Sequence, residues 1–157
     1  MHHVIRLLVK LPLISFHFYR DSIKALKDGE DMKRKTYTAV CVIPRQCVDE
    51  NLKAKILNLD NMPAIELSQR TPIRVLHRRP NAIRTRSVYN MKVDVNVQNR
   101  TYIAGDNFFV FKLSLCTQAG TYVKEFVHGD FGRTTPNLSS ILGCEEVDII
   151  ALDVEVR

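Results

Sequence analysis

The feature that most constrains the fold is a set of four strand-like segments that do not alternate regularly with helices. β-Branched and apolar residues fill residues 35–43, and apolar side chains recur at every second position in residues 108–118. Residues 82–97 and 146–156 also have the composition of strands, and residues 105–106 supply a turn signal between two of the segments. The segments at 82–97 and 108–118 are therefore predicted to pair in antiparallel fashion. We predict an α+β fold, with a mixed, largely antiparallel sheet flanked by helices.

Two helices are predicted from capping residues and apolar spacing. Asp21 or Ser22 is expected to begin a helix near the start of the chain. Asp49 or Glu50 begins a second helix, whose apolar stripe consists of Leu52, Ile56 and Leu59. Both helices are of the kind that covers one face of an antiparallel sheet.

A third helix is predicted in residues 121–128, with Thr121 as its N-cap and Gly129 as its left-handed terminator. Its inner face is predicted to consist of Tyr122, Val123, Phe126 and Val127. Lys124 and His128 lie four residues apart on the opposite face. Lys124 is then either an ordinary surface lysine of an amphipathic helix or a cation placed on a rigid element for a site.

The whole chain has a net charge of +6, and its positive charge is concentrated in one segment. No acidic residue occurs between Glu66 and Asp94. The arginine-rich segment, residues 70–86, contains Arg70, Arg74, Arg78, Arg79, Arg84 and Arg86. The planar guanidinium suits bidentate contact with phosphate, so the segment is predicted to contact a nucleic-acid backbone, the alternative being a solvated charge run. Because no aromatic residue is interleaved, base stacking is not expected from this segment.

Several other classes of protein are excluded. Asp130-Phe131-Gly132 matches a protein kinase triplet, but the chain has no glycine-rich phosphate loop and no catalytic-loop aspartate. The four cysteines are not spaced as zinc ligands, so no metal is expected. The apolar start, interrupted by Arg6 and Lys10, is too short to span a bilayer, so no membrane partner is expected. Unpaired cysteines favour an intracellular compartment, nucleus or cytoplasm, although the acid-free start leaves a mitochondrial location open.

Long blocks of the chain resemble the tRNA pseudouridine synthases of archaea and eukaryotes that modify T-arm uridines. The blocks are QRTPIRVLHRRP followed by RTR, then TQAGTYVKEFVHGDFGRTTPN, then DIIALDVE, with similarity also in KALKDGEDMKRK and KTYTA. The resemblance covers residues 16–155 and implies the C-terminal half of a pseudouridine synthase catalytic fold. Residues 1–15 are a leader unlike the family, and residues 16–157 are identified as the C-terminal portion of its catalytic domain.

The resemblance also implies the site residues and the reaction. Tyr37 corresponds to the family's tyrosine that stacks on the target base and helps in proton removal, and Lys124 corresponds to the basic residue paired with the catalytic aspartate. Val123 and Leu152 would form the apolar wall beside the base, and the six arginines would contact tRNA. A T-loop uridine is flipped out and isomerised, with no cofactor.

The chain departs from the family pattern at the nucleophile. No segment before Tyr37 resembles the family's catalytic Gly-Arg-Glu-Asp motif, so this chain alone is expected to be inactive. Lys124 is accordingly expected to be reachable by solvent, without an aspartate partner in this chain and near an unpaired strand edge. The alternative function is a non-catalytic tRNA-binding module that uses the arginine-rich segment. The sequence leaves the oligomeric state open.

Overall fold

The computed structural model describes residues 33–97 and 106–155. The strands are β1 (Arg34–Pro44), β2 (Ile65–Arg70), β3 (Ile83–Asp94), β4 (Phe108–Gln118), β5 (Thr134–Thr135) and β6 (Asp148–Glu155). The helices are α1 (Glu50–Asn58), α2 (Val123–His128) and α3 (Leu138–Leu142). Short 3₁₀ turns occupy Arg45–Cys47, Leu59–Asn61 and Ile73–Val75.

The six strands form one sheet in the order β5-β2-β3-β4-β1-β6, and every described pair is antiparallel. The predicted α+β class with a largely antiparallel sheet is confirmed. No parallel pair occurs among the described strands, so the mixed character is not seen there. The predicted pairing of residues 82–97 with 108–118 is the β3–β4 ladder, which has a bulge between Val88 and Asn90.

The core lies on one face of the sheet, as the strand periodicity requires. In β4, Phe111 and Leu113 are fully buried while Lys112 between them is exposed. Their buried partners on β1 are Cys41 and Ala39, and the next buried residue of β1, Ile43, pairs with Phe109. Burial and the nearby charge of Asp148 raise the pKa of the Cys41 thiol to about 12, so this cysteine is an inert core residue.

Helix α1 follows the sequence prediction closely. The Asp49 carboxylate accepts a hydrogen bond from the Leu52 backbone N–H at 2.7 Å, which is the expected N-cap. Leu52, Ile56 and Leu59 are all buried in the core. The α1 side of the sheet therefore forms as the apolar pattern indicated.

Helix α2 differs from the prediction at its start. Thr121 is not the cap, because its hydroxyl donates to the Gln118 carbonyl at 2.7 Å and the N-cap residue is Tyr122. Tyr122 is therefore half-buried at the helix start and does not belong to the inner face, which consists of Val123, Phe126 and Val127. Gly129 ends the helix with φ +82°, as predicted, and a Cβ there would lie 2.5 Å from Asn137 Nδ2.

Three elements were not predicted: β2, the two-residue β5 and the five-residue α3. Each is short, and α3 depends on a capping box in which Asn137 and Ser140 bond reciprocally. The predicted helix at Asp21 or Ser22 and the leader at residues 1–15 lie outside the described residues.

The described part of the chain contains no helix that is long and apolar enough to cross a membrane. Its His, Cys, Asp and Glu side chains also form no group of three or more that could hold a metal ion.

Candidate functional site

A buried glutamine holds the start of helix α2. The Gln69 side chain on β2 donates from Nε2 to the Tyr122 carbonyl and accepts from the Tyr122 N–H at Oε1, each at 3.0 Å. Gln69 is only 1% exposed. Since Tyr122 has no side-chain cap, this amide satisfies the helix start and fixes α2 to the sheet.

Lys124 lies on the solvent side of α2. Its side chain is exposed, and it forms no ion pair with an acid among the described residues, so its expected accessibility is confirmed. Val123, one position earlier, is buried in the core. The helix therefore directs Val123 into the core and Lys124 into solvent, and the apolar wall predicted beside the base stays a prediction.

Tyr37 and Leu152 lie on the same face of neighbouring strands, and both pack against the core to which Val123 belongs. In the β1–β6 ladder Tyr37 pairs with Val154 and Ala39 pairs with Leu152, so Tyr37 and Leu152 are diagonal neighbours. Helix α2 packs against β6. Partial burial raises the pKa of the Tyr37 phenol, because it disfavours the charged phenolate.

Strand β6 is at the edge of the described sheet, where it pairs with β1 on one side only. Val154 and Ile150 on this strand are about half exposed. Within residues 33–97 and 106–155, the outer edge of β6 is thus unpaired, and the expected nearness of such an edge to Lys124 stays a prediction.

Glu125 is the most deeply buried acid of the site, and sequence reasoning missed it. Its side chain is 2% exposed and binds Arg74 at both oxygens, with Nε–Oε1 at 2.6 Å and Nη2–Oε2 at 3.4 Å. The hydrogen bond to Glu125 raises the pKa of Arg74. No local spacing signals this ion pair, because Arg74 lies 51 residues earlier in the chain.

The arginine-rich segment is closed at its base by Thr71. The Thr71 hydroxyl donates to the Pro80 carbonyl at 2.7 Å and accepts from the Ala82 N–H at 3.1 Å and from Arg84 Nη1 at 3.2 Å. Between these contacts the chain forms a 3₁₀ turn and further turns, with no long helix. The segment is a loop anchored to the β2–β3 hairpin.

The six predicted RNA-binding arginines have different surroundings. Arg70, Arg78 and Arg79 are exposed and form no ion pair with any described residue. Arg74 is half exposed but bound to Glu125. The two on strand β3, Arg84 and Arg86, are half-buried, with Arg86 donating to the Thr85 carbonyl and lying against Gly120.

A second buried acid joins the chain after α2 to the same loop. The Asp130 carboxylate accepts from the Ile73 N–H at 3.1 Å and lies 3.6 Å from Arg133 Nε. Arg133 in turn donates from Nη2 to the Thr71 carbonyl at 2.8 Å and to Asn81 Oδ1 at 3.1 Å. The loop and the segment after α2 therefore form one surface.

Two cavities accompany these elements. One, of about 830 Å³, is lined by Phe131, Glu145, Glu146 and Asp148 among others. The other, of about 790 Å³, is lined by Arg34, Lys35 and Lys92 among others. Neither of these two is lined by Tyr37 or Lys124, so a concave surface shared by those two side chains stays a prediction.

The antiparallel α+β domain, the lysine on a short rigid helix, the half-buried tyrosine and the arginine loop fit the pseudouridine synthase class of isomerases. The family model described as "Pus10, C-terminal" matches residues 11–156, and the chain belongs to this family.

The relatives it matches occur in both eukaryotes and archaea. The chain is 46% identical over 136 residues to the tRNA pseudouridine synthase Pus10 of Mus musculus, covering 87% of this chain and 23% of that protein. It is 37% identical over 128 residues to the tRNA pseudouridine synthase Pus10 of Pyrococcus furiosus, covering 78% of this chain and 30% of that protein. The chain thus spans roughly a quarter of the length of these curated relatives.

Among solved structures, a chain in the crystal structure of a Cbf5-Nop10-Gar1 complex is similar, with a TM-score of 0.45 and 18% identity. The match covers 77% of this chain and 29% of that one.

Proposed function

We propose that this chain supplies part of the active site and of the RNA-binding surface of a tRNA pseudouridine synthase that acts on T-loop uridine. The observation that carries the proposal is Lys124, an exposed cation on a helix fixed by Gln69, with no acid among the described residues to pair with. The names and identities of the relatives support the reaction class.

In the proposed reaction the carboxylate of an aspartate bonds to ribose C1′ as the bond between C1′ and base N1 breaks. The detached uracil anion rotates and its C5 bonds to C1′ as the bond between C1′ and the aspartate breaks, which restores the carboxylate. The C5 proton is then removed and N1 takes up a proton. The aspartate comes from polypeptide outside this chain, and Lys124 pairs with it. The ion pair favours the ionised carboxylate, which is the nucleophilic form.

Tyr37 and the apolar wall hold the base in this proposal. The Tyr37 ring stacks on the flipped uracil, and its phenol takes part in removing the C5 proton. Val123 and Leu152 exclude water from the opposite side of the base. No cofactor is needed for these steps.

The arginine-rich segment binds the tRNA backbone in this proposal. Arg70, Arg78 and Arg79 are the exposed members and are best placed to reach phosphate, whereas Arg84 and Arg86 flank the loop on β3. Arg74 holds the loop to α2 through Glu125 and contacts RNA with the remainder of its guanidinium. An intracellular location, nucleus, cytoplasm or mitochondrion, is part of the proposal, because tRNA is present in each.

The catalytic proposal is tested with a chimera in which this chain replaces the matching segment of the mouse relative. Tritium release from tRNA labelled at uridine C5 is measured for the chain alone and for the chimera. We expect release from the chimera only, and its loss in the Lys124→Ala chimera. Lys53→Ala, an exposed lysine on α1 that pairs only with Glu50, is the matched control and should retain release. An active Lys124→Ala chimera would contradict the proposed pairing.

The second candidate, a non-catalytic tRNA-binding module, is favoured by the exposed arginines alone. It predicts tRNA binding by the chain that weakens steeply with salt, together with an inactive chimera. Arg78→Ala combined with Arg79→Ala should weaken binding without unfolding, because both side chains are solvent-exposed. Binding that is insensitive to salt would rule out phosphate contact in both candidates.

A further inference from the structure

The turn after α2 presents a phenylalanine almost wholly to solvent. Asp130, Phe131 and Gly132 have φ of +48°, +55° and +80°, and Phe131 is 95% exposed. Residues other than glycine adopt such backbone angles at an energetic cost, and they persist only where surrounding contacts fix them. An exposed aromatic ring on a backbone of this kind is a candidate for a binding contact.

The contacts that fix this turn come from the arginine loop. The Asp130 carboxylate is bonded to the Ile73 N–H, and the Arg133 guanidinium is bonded to the Thr71 carbonyl. The Asp130 N–H donates to His128 Nδ1 at 3.1 Å, and the Arg133 N–H donates to the Asp130 carbonyl at 3.1 Å. The residues at both ends of the turn, Asp130 and Arg133, therefore attach it to the arginine-rich segment.

The turn that carries Phe131 adjoins two surfaces of opposite charge. One is the arginine-rich segment, whose Arg70 N–H bonds to the Arg133 carbonyl at 2.9 Å. The other is the 830 Å³ cavity, which Phe131 lines together with the acidic residues Glu145, Glu146 and Asp148. Phosphate is attracted to the first surface and repelled from the second. The exposed ring is therefore next to the region where a backbone bound by the arginine-rich segment would project its bases.

We propose that Phe131 stacks on an unpaired base of the RNA whose phosphates the arginine-rich segment contacts. This inference rests on the proposed RNA contact and adds a base contact to it. Aromatic rings beside a basic groove are the usual platform for single-stranded nucleic acid, and every base has a face on which a ring can stack. Phenylalanine has no hydrogen-bonding group, so the contact selects unpaired bases without selecting their sequence.

The test uses fluorescence anisotropy with two labelled RNAs: a T-arm hairpin and a blunt duplex with the sequence of its stem. Phe131→Ala should bind the hairpin about tenfold more weakly than the unmodified chain does. Its binding to the duplex, which has no unpaired base, should be unchanged. Phe131→Trp should restore hairpin binding. The salt dependence should be the same in all three proteins, since no phosphate contact is removed.

Leu57→Ala is the matched control, because Leu57 is a 54% exposed apolar side chain on α1. It should bind both RNAs as the unmodified chain does, and far-ultraviolet circular dichroism should show all variants folded. Equal hairpin affinity for Phe131→Ala and the unmodified chain overturns the stacking inference and leaves the proposed function standing. An equal loss on hairpin and duplex also overturns it. Absence of salt-dependent binding by the unmodified chain overturns the proposed RNA contact itself.

Discussion

Helix α2 and the turn that follows it are adjacent in sequence but differ in backbone conformation and in burial. The helix is short, buried on its inner face and bonded to Gln69 through the N–H and carbonyl of Tyr122 at its start. The turn of residues 130–132 has left-handed backbone and exposes a phenylalanine. Helix α2 holds its side chains in fixed positions, whereas the turn exposes one side chain, that of Phe131. The strained backbone and exposed side chain of Phe131 are tolerated because the neighbouring helix is held rigidly.

The two regions are joined to the same loop by acids. Glu125 of the helix binds Arg74, and Asp130 of the turn binds the Ile73 N–H. Both carboxylates are buried, and both approach a segment that contains no acid of its own. The loop is thus fixed by charges located about fifty residues further along the chain. Removing one partner from either region should show which of the contacts support the fold.

The largest effect is expected at Arg74, because Arg74→Ala leaves the buried Glu125 carboxylate without its cation. We expect the free energy of unfolding in urea to fall by about 3 kcal/mol. Arg79→Ala, an exposed arginine of the same loop, should change it by less than about 0.5 kcal/mol. Adding Glu125→Gln to Arg74→Ala should recover part of the loss. Equal effects of Arg74→Ala and Arg79→Ala would contradict a supporting role for this ion pair.

The next effect is expected at Gln69. Gln69→Met retains the length of the side chain but leaves the Tyr122 N–H without its partner at the start of α2, and the Tyr122 carbonyl keeps only its bond from the Phe126 N–H. We expect a loss of about 2 kcal/mol in urea unfolding. Gln69→Met should accelerate hydrogen exchange more in α2 than in α1. Ser68→Ala, the exposed neighbour on β2, is the control, and a similar loss in that variant would remove the special position assigned to Gln69.

A smaller effect of opposite sign is expected in the turn. Phe131→Gly relieves the left-handed strain and should raise the free energy of unfolding by up to about 1 kcal/mol. Phe131→Ala retains a Cβ and should leave stability nearly unchanged. Since both variants lack the ring, both should bind the T-arm hairpin more weakly. If Phe131→Gly gains stability and loses RNA affinity, the ring serves RNA binding and not folding. If Phe131→Gly is destabilised, the ring supports the fold.

The smallest effect on stability is expected at Lys124. Its side chain is exposed and unpaired within the described residues, so Lys124→Ala should change the free energy of unfolding by less than about 0.5 kcal/mol. Its consequence should appear only as lost tritium release in the chimera. A thermal melt of the two proteins side by side checks this. A large drop in melting temperature would show that Lys124 supports the fold.

Local patterns predicted the elements that form the core. The alternation in β4 and the apolar stripe of α1 are properties of neighbouring residues, and both are present as expected. The cap of α2 was wrong because its bonds come from Gln69, 53 residues away, which no local pattern reveals. Glu125 was missed for the same reason, since its partner Arg74 is 51 residues away. The exposure of Lys124 was predictable because it depends on no distant partner within the described residues, whereas its role in a site stays a prediction.

The sequence also led to the interpretation that the arginine-rich segment had no aromatic companion. That held for residues 70–86 themselves, but the fold brings Phe131 to the same surface through Asp130 and Arg133. An aromatic residue can therefore lie beside a basic segment in the fold without lying near it in the sequence.

The bond between Arg74 and Glu125 also affects how many counterions the RNA releases when it binds. Each phosphate neutralised on a single strand contributes about −0.7 to the slope of log affinity against log salt. Six equivalent arginines would give a slope of about −4, and partial neutralisation of Arg74 by Glu125 would reduce its magnitude by up to about 0.7. A buried glutamate thus weakens the salt dependence of the complex, although it never touches the nucleic acid.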